Sequence, residues 1–146
     1  MKCREIMTKD PVCCLPDDTV QKAAHLMMTE DVGAIPVIGD EEIKTLLGVV
    51  TDRDLALRVV AEGLDVGSTM VKDVMTTGAI SCAPDDELQK ALDSMEEYQV
   101  RRIPVVDENK QVIGIIAQAD IATRLAEPEK TAEVVEEISK SHGASG

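Results

Sequence analysis

The chain has 146 residues and a formal net charge of −13, with 28 acidic against 15 basic side chains. That balance argues against a general nucleic-acid binder, which needs a basic stripe to neutralise phosphates; with neither Trp nor Phe and only Tyr98, the stacking platforms of single-strand binders are missing too. No apolar run approaches the roughly 18 residues that span a bilayer, and the first five residues lack the apolar stretch of a signal peptide, so the expectation is a soluble, cytoplasmic protein with an aliphatic, Met-containing core and reduced cysteines.

In chain order, residues 3–7 read as a short amphipathic lead-in and Val12-Cys13-Cys14 as a brief apolar strand. Pro16-Asp17-Asp18 is expected to open a helix, because Pro blocks helix on its N-terminal side and the aspartates cap free N–H groups and complement the positive helix end. Val20, Ala23, Ala24, Met27 and Met28 recur at helical spacing as its core face, and the helix is expected to end near Asp31. Ala34-Ile35-Pro36-Val37-Ile38 and Leu46-Leu47-Gly48-Val49-Val50 are rich in β-branched residues and flank a polar turn at 39–44, which predicts a hairpin. A helix over 52–61 closes the unit, and a linker at 62–70, broken by Gly63, Gly67 and Ser68, follows.

The same order then repeats. Met7-Thr8, Pro16-Asp17-Asp18, Gln21-Lys22-Ala23 and Ile35-Pro36-Val37 recur 68 positions later as Met75-Thr76, Pro84-Asp85-Asp86, Gln89-Lys90-Ala91 and Ile103-Pro104-Val105. The offset then drops to 66, because the hairpin turn of the second copy is two residues shorter. The second copy reads as a lead-in at 71–75, a strand at Ile80-Ser81-Cys82 and a helix ending near Gln99 with Leu88, Ala91, Leu92 and Met95 inward. A hairpin through Arg102 to Val106 and Val112 to Ile116 and a closing helix at 119–126 complete it. Two β-α-β-β-α units of about 60 residues, each marginal alone, predict one α/β (α+β) module packed with pseudo-two-fold symmetry. Its parts are repeat 1 (1–61), the linker (62–70), repeat 2 (71–126) and a tail (127–146) that places Val134, Val135 and Ile138 on one helical face before a frayed end.

Two copies of strand, helix, Ile-Pro-Val, turn and Gly-hydrophobic-hydrophobic-Thr-x-x-Asp resemble a tandem pair of CBS (cystathionine β-synthase) domains, a Bateman module, over residues 3–126. Val32-Gly33-Ala34-Ile35-Pro36, Thr51-Asp52-Arg53-Asp54-Leu55 and Val100-Arg101-Arg102-Ile103-Pro104 further resemble small stand-alone bacterial CBS-pair proteins, hypoxia-response proteins among them. The resemblance implies a non-catalytic regulatory sensor that holds an adenine nucleotide (AMP, ADP or ATP) or an adenosyl compound between the copies. It also implies association as a homodimer and an unidentified protein effector.

The candidate site follows from the residues. Thr51 lies where a buried strand turns into a helix, which brings its hydroxyl and free N–H groups together, and Asp54 returns a carboxylate to the same mouth one turn later. The resemblance assigns phosphate to Thr51 and ribose hydroxyls to Asp54, with Arg53 beside them and backbone near Ala34, Ile35 and Pro36 reading adenine. The competing reading is a capping box, in which Thr51 and Asp54 only satisfy backbone donors. In the second copy Ala117 replaces the Thr and Gln118-Ala119 replace Asp-Arg, leaving Asp120, so an occupied site is expected first at Asp54. Arg101 and Arg102 precede Ile103 and Pro104 where the first copy has Gly33 and Ala34. They read either as an anion trap or as surface residues paired with Glu30 or Asp31.

Cys14 and Cys82 fall at equivalent strand positions and read as packing residues or, with Cys13, as a thiol redox switch. Neither the cysteines nor His25 and His142 show zinc-ligand spacing, and no set of nucleophile, base and orienter emerges, so no enzyme activity is expected. The alternative to a ligand sensor is a ligand-free structural or interaction homodimer.

Overall fold

The computed structural model describes residues 1–78 and 80–125, so the apolar tail positions read above lie outside it. The first copy contains β1 (Thr8–Lys9), α1 (Val20–Glu30), β2 (Ala34–Ile38), β3 (Leu46–Thr51) and α2 (Asp52–Leu55), which continues as a wider π turn at Ala56–Val60. The second contains β4 (Thr76–Thr77), α3 (Leu88–Tyr98), β5 (Arg102–Val106), β6 (Val112–Ala117) and α4 (Gln118–Leu125). Both lead-ins begin with a 3₁₀ turn, at Cys3–Glu5 and Val71–Asp73.

The β-branched runs pair as predicted, β2 against β3 and β5 against β6. What the hairpins lack is a third strand, and each takes it from the other copy: β1 pairs with β6 (Thr8 opposite Ile115, Lys9 opposite Gly114), and β4 pairs with β3 (Thr76 opposite Val49, Thr77 opposite Gly48). The exchange is reciprocal at the same register, which is the two-fold relation in hydrogen-bonded form. The hairpin turns repeat it where they meet, Leu46 N–H donating to the Lys110 carbonyl at 3.0 Å and Val112 N–H to the Lys44 carbonyl at 2.8 Å.

The two cores follow this exchange. Cys3 and Ile6 of the first lead-in pack with Cys82, Leu88, Met95 and Ile103 of the second copy, while Val71 and Val74 pack with Cys14, Val20, Met27 and Ile35 of the first. Each copy's lead-in therefore closes the apolar face of its neighbour, and neither copy has a complete core within its own sequence span.

Several local expectations change. The strand at 12–14 reduces to one parallel bridge between Cys14 and Val37, Cys14 N–H donating to the Pro36 carbonyl at 2.9 Å; Cys82 and Val105 repeat it. Pro-Asp-Asp forms the turn before each helix rather than its start, because Asp18 and Asp86 reach back to accept from the N–H groups of Leu15 (2.8 Å) and Ala83 (2.9 Å). The helices begin at Val20 and Leu88, and Thr19 is the residue that caps the first, accepting from Lys22 N–H at 3.1 Å. Both end on left-handed residues, Asp31 (φ 55°) and Gln99 (φ 54°), as the spacing predicted. Of the expected core face of α1, Val20, Ala23 and Met27 are buried but Ala24 and Met28 face outward, Met28 with 69% of its surface exposed.

Candidate functional site

Each hairpin ends where its second strand turns directly into a helix, and this places the candidate residues in two equivalent mouths. In the first, Ala34 lies opposite Thr51, and Asp52 N–H donates to the Gly33 carbonyl at 2.9 Å. In the second, Arg102 lies opposite Ala117, and Gln118 N–H donates to the Arg101 carbonyl at 2.8 Å. Ile35, Pro36, Ile103 and Pro104 follow inward from these pairs, and their side chains are buried.

In the first mouth the capping box is fully formed. Asp54 N–H donates to the Thr51 hydroxyl at 3.1 Å, and Thr51 N–H donates to Asp54 Oδ2 at 3.0 Å. The second carboxylate oxygen is used as well: the Thr76 hydroxyl donates to Asp54 Oδ1 at 3.4 Å, and Arg58 Nε stands 3.9 Å away. Arg58 also donates through Nη1 to the Val74 carbonyl at 3.2 Å. The Asp54 side chain, 12% exposed, thus joins the start of α2 to the strand lent by the second copy. Arg58 and Thr76 were not read as site residues; Arg58 stands four residues after Asp54, a spacing visible in the sequence, but the contact with Thr76 depends on the strand exchange, which no local pattern announces.

The second mouth is built the other way. Ala117 has no hydroxyl to close a capping box, and the side chain of Asp120, half-buried, has no hydrogen bond or ion pair among the described residues. The side chains of Arg101, exposed, and Arg102, half-buried, have none either, so the surface pairing with Glu30 or Asp31 is not formed, and the Arg53 side chain in the first mouth is equally unpaired among the described residues. The first mouth carries Asp52 and Asp54 with Arg53 and Arg58, and the second carries Asp120 with Arg101 and Arg102. Asp52 also fills the space beside Gly33, where an added Cβ would lie 3.0 Å from Asp52 Oδ2.

A surface cleft of about 620 Å³ runs past Asp85, Asp86, Asp107 and Glu108 with Lys110 as the only cation among its described lining residues, a lining that repels phosphate. A smaller apolar groove of about 210 Å³ separates α1 from the π turn at Val20, Ala24, Leu55 and Val59. Neither is lined by Thr51, Asp54, Asp120 or the paired arginines.

Cys3 and Cys82 lie in one core and Cys14 in the other, while Cys13 is half-buried and belongs to neither. Cys14 and Cys82, expected to be equivalent, are equivalent in place but do not face each other; the thiol in contact with Cys82 is that of Cys3. Burial pushes the Cys13 and Cys14 thiols up to about 11 and that of Cys82 higher still, which keeps them protonated at neutral pH. No three His, Cys, Asp or Glu residues among the described ones group as a metal site. No described helix is long and apolar enough to cross a membrane.

A CBS domain profile matches residues 3–61 and again 71–127. The chain belongs to the CBS domain family. The CBS domain-containing protein YhcV of Bacillus subtilis (strain 168) is 40% identical over 136 residues, which cover 93% of this chain and 94% of that protein. A solved structure of Hypoxic Response Protein I, holding two coordinated zinc ions, superposes with a TM-score of 0.78 at 34% identity, over 86% of this chain and 99% of that one. A solved structure of CBSX2 in complex with AMP superposes with a TM-score of 0.71 at 26% identity, covering 84% of this chain and 94% of the other. The internal duplication is thus a pair of CBS domains, and the two hairpin mouths are corresponding positions of the two.

Proposed function

We propose that this CBS pair is a non-catalytic regulatory module that binds an adenine nucleotide or related adenosyl ligand at the hairpin mouths and transmits occupancy through the exchanged strands. The observation that carries the reading is the set of polar groups there, Thr51, Arg53 and Asp54 in one copy and Arg101, Arg102 and Asp120 in the other, at symmetric strand-to-helix turns where they can address a diol and a phosphate. The AMP bound to CBSX2, a protein of the same architecture, supports the ligand class. A ligand acts on such a module only through unequal affinity for two arrangements of the copies, and the exchanged strands are among the contacts that join the copies.

Output passes to a protein partner or through self-association. The outward apolar residues of the first copy, Met28 (69% exposed), Leu57 (52%) and Val60 (73%), lie on the helices that an isologous homodimer would bury. A specific observation also favours a second reading for the first copy: the closed capping box and the fully engaged Asp54 suit a structural joint without ligand.

The test is titration calorimetry on ligand-stripped protein with AMP, ADP, ATP and adenosine, repeated on the Asp54→Ala/Asp120→Ala double variant. Binding by the wild type and its loss in the double variant is expected. Undiminished binding in the double variant would place the ligand elsewhere, and no binding to the wild type would leave the structural homodimer.

A further inference from the structure

We infer that Cys3 and Cys82 form a dithiol site that a small, positively charged disulfide oxidises to an intrachain bond, and that this bond locks the first lead-in onto the second copy. The inference does not depend on the ligand reading.

These are the only two of the cysteines that share a core. Cys3 opens the first lead-in, its N–H donating to the Asp86 carbonyl at 3.0 Å, and Cys82 forms the parallel bridge to Val105, which brings the two thiols into contact across the joint between the copies. Nothing else holds either thiol firmly: Cys3 Sγ donates to the Glu87 carbonyl at 4.0 Å and Cys82 Sγ to the Pro104 carbonyl at 3.8 Å, weak bonds that yield to a side-chain rotation. Packing does not require the pair. In the other core Val71 takes the place of Cys3 and packs with Cys14, the equivalent of Cys82, so the same joint closes there with one thiol.

The route in is the acidic cleft. Cys3 is 0% and Cys82 5% exposed, yet Cys82 lines the cleft of about 620 Å³ that also carries Asp85, Asp86, Asp107 and Glu108. Such a lining attracts a cation and repels an anion, so it selects among small disulfides RSSR by the charge on R. The Cys82 sulfur attacks one sulfur of RSSR, forming Cys82–S–SR, and its proton leaves with the other half as RSH. The Cys3 sulfur then attacks Cys82 Sγ, the Cys3–Cys82 bond forms, and the second half departs as RSH with the Cys3 proton. Two thiols are oxidised and one disulfide is reduced to two thiols. Burial keeps both protein thiols protonated at neutral pH, which makes the first step slow and faster as pH rises.

The new bond closes a loop of about 80 residues and fixes the lead-in that carries β1 to its place beside β6. In the reduced protein the same segment is held at Glu87 by exposed ion pairs from Lys2 and the N-terminus, each of little strength alone. The second lead-in has Val71 at this position and receives no such lock.

The experiment incubates reduced, full-length protein with cystamine, a dicationic disulfide, then alkylates it under denaturing conditions and maps the peptides. Wild type and Cys14→Ala are expected to yield a peptide pair linked through Cys3 and Cys82, and Cys3→Val and Cys82→Ala to yield none. Relative to their rates on the urea-unfolded chain, oxidised glutathione, an anion, is expected to react about tenfold or more slowly than cystamine, a gap that salt narrows. The linked wild type is expected to melt roughly 5–15 °C above the reduced form, with slower amide exchange at Thr8 and Lys9 and no change at Thr76 and Thr77. A different linked pair, or four thiols still free, would overturn the pairing. Linkage with no rise in melting temperature would overturn the lock, and equal relative rates for the two disulfides would overturn the cleft as the route. Because pairing and lock are both read on the wild type, a variant that does not fold leaves the test decisive.

Discussion

The exchanged strands are seated by close backbone approach, and alanine at Gly48 measures it. A Cβ at Gly48 would lie 2.5 Å from the Thr76 carbonyl oxygen and 3.3 Å from Met75 Sδ. That carbonyl belongs to β4, whose register on β3 is fixed by pairing, so it cannot swing aside as a side chain would. At the equivalent Gly114 the nearest atoms are Met7 Sδ at 2.7 Å and Cγ at 2.9 Å, the movable end of a flexible chain, with the Thr8 carbonyl at 3.0 Å. Overpacking costs about 1–3 kcal/mol, and Gly48 sits at the upper end of that range because backbone must shift. Replacing a strand glycine with alanine returns about 0.5–1 kcal/mol of backbone entropy. The net expectation is a loss of about 2 kcal/mol for Gly48→Ala, roughly 5–8 °C in melting temperature, against about 0–1 kcal/mol for Gly114→Ala. Urea denaturation gives the difference, and amide exchange at Thr76 and Thr77 locates it. Equal losses at the two positions, or a larger one at Gly114, would refute the view that strand seating rather than general packing makes Gly48 necessary.

Asp31→Gly and Gln99→Gly should each stabilise the protein by up to about 1 kcal/mol, since both residues hold left-handed helix ends (φ 55° and 54°); Asp31→Gly should gain more because it also removes a carboxylate from a negative helix terminus. Thermal melts on the two variants decide the order. Stability should fall as pH rises from 9.0 towards about 11: burial holds the proton on Cys14 in the folded state, so its contribution is complete below 9.0 and lost as the pH climbs through the folded value. At about 1.4 kcal/mol per unit the ceiling for Cys14 is roughly 3 kcal/mol, and Cys14→Ala should reduce, without abolishing, the fall in melting temperature over that interval, since the Cys13 and Cys82 thiols are raised as well. Cys3→Val should be tolerated within about 1 kcal/mol, because Val71 occupies the matching place in the other lead-in and both residues are fully buried; a large loss in a urea titration would show that the Cys3 contact with Cys82 matters beyond packing.

Elements whose signal is local were legible in the sequence. The two helices showed apolar spacing and ended where expected, and each Ile-Pro-Val strand paired with the Gly-containing strand that follows it. Elements whose identity depends on distant partners were not. Residues 12–14 look like a strand because Val and Cys favour one, yet only Cys14 finds a ladder partner, next to a proline that offers a carbonyl and no N–H. Thr8 and Thr76 were visible only as members of a repeated Met-Thr pair, since two residues have no periodicity to display. At the site, the sequence brought Thr51 and Asp54 together with both readings open, and the hydrogen bonds of the capping box are present. What decides the use of Asp54 is Thr76, 22 residues away and on a strand that belongs to the other copy by sequence.

Reciprocal exchange also explains why the copies can diverge without losing the fold. Each lead-in is fastened at several points: the first through Gly114 packing against Met7 and through Lys2 and the N-terminus paired with Glu87, the second through Gly48, Asp54 and Arg58. Because the first lead-in has its ion pairs at Glu87, the second copy can do without a staple at Asp120, and replacing the Thr at position 117 with Ala removes a cap without freeing a strand. The second lead-in is held by the Lys72–Asp17 ion pair at 3.1 Å, and the Asp54 contact with Thr76 adds to it. A module closed by two exchanged strands needs both held but tolerates different means of holding them. That latitude leaves the carboxylate of one of two related mouths outside the fastening.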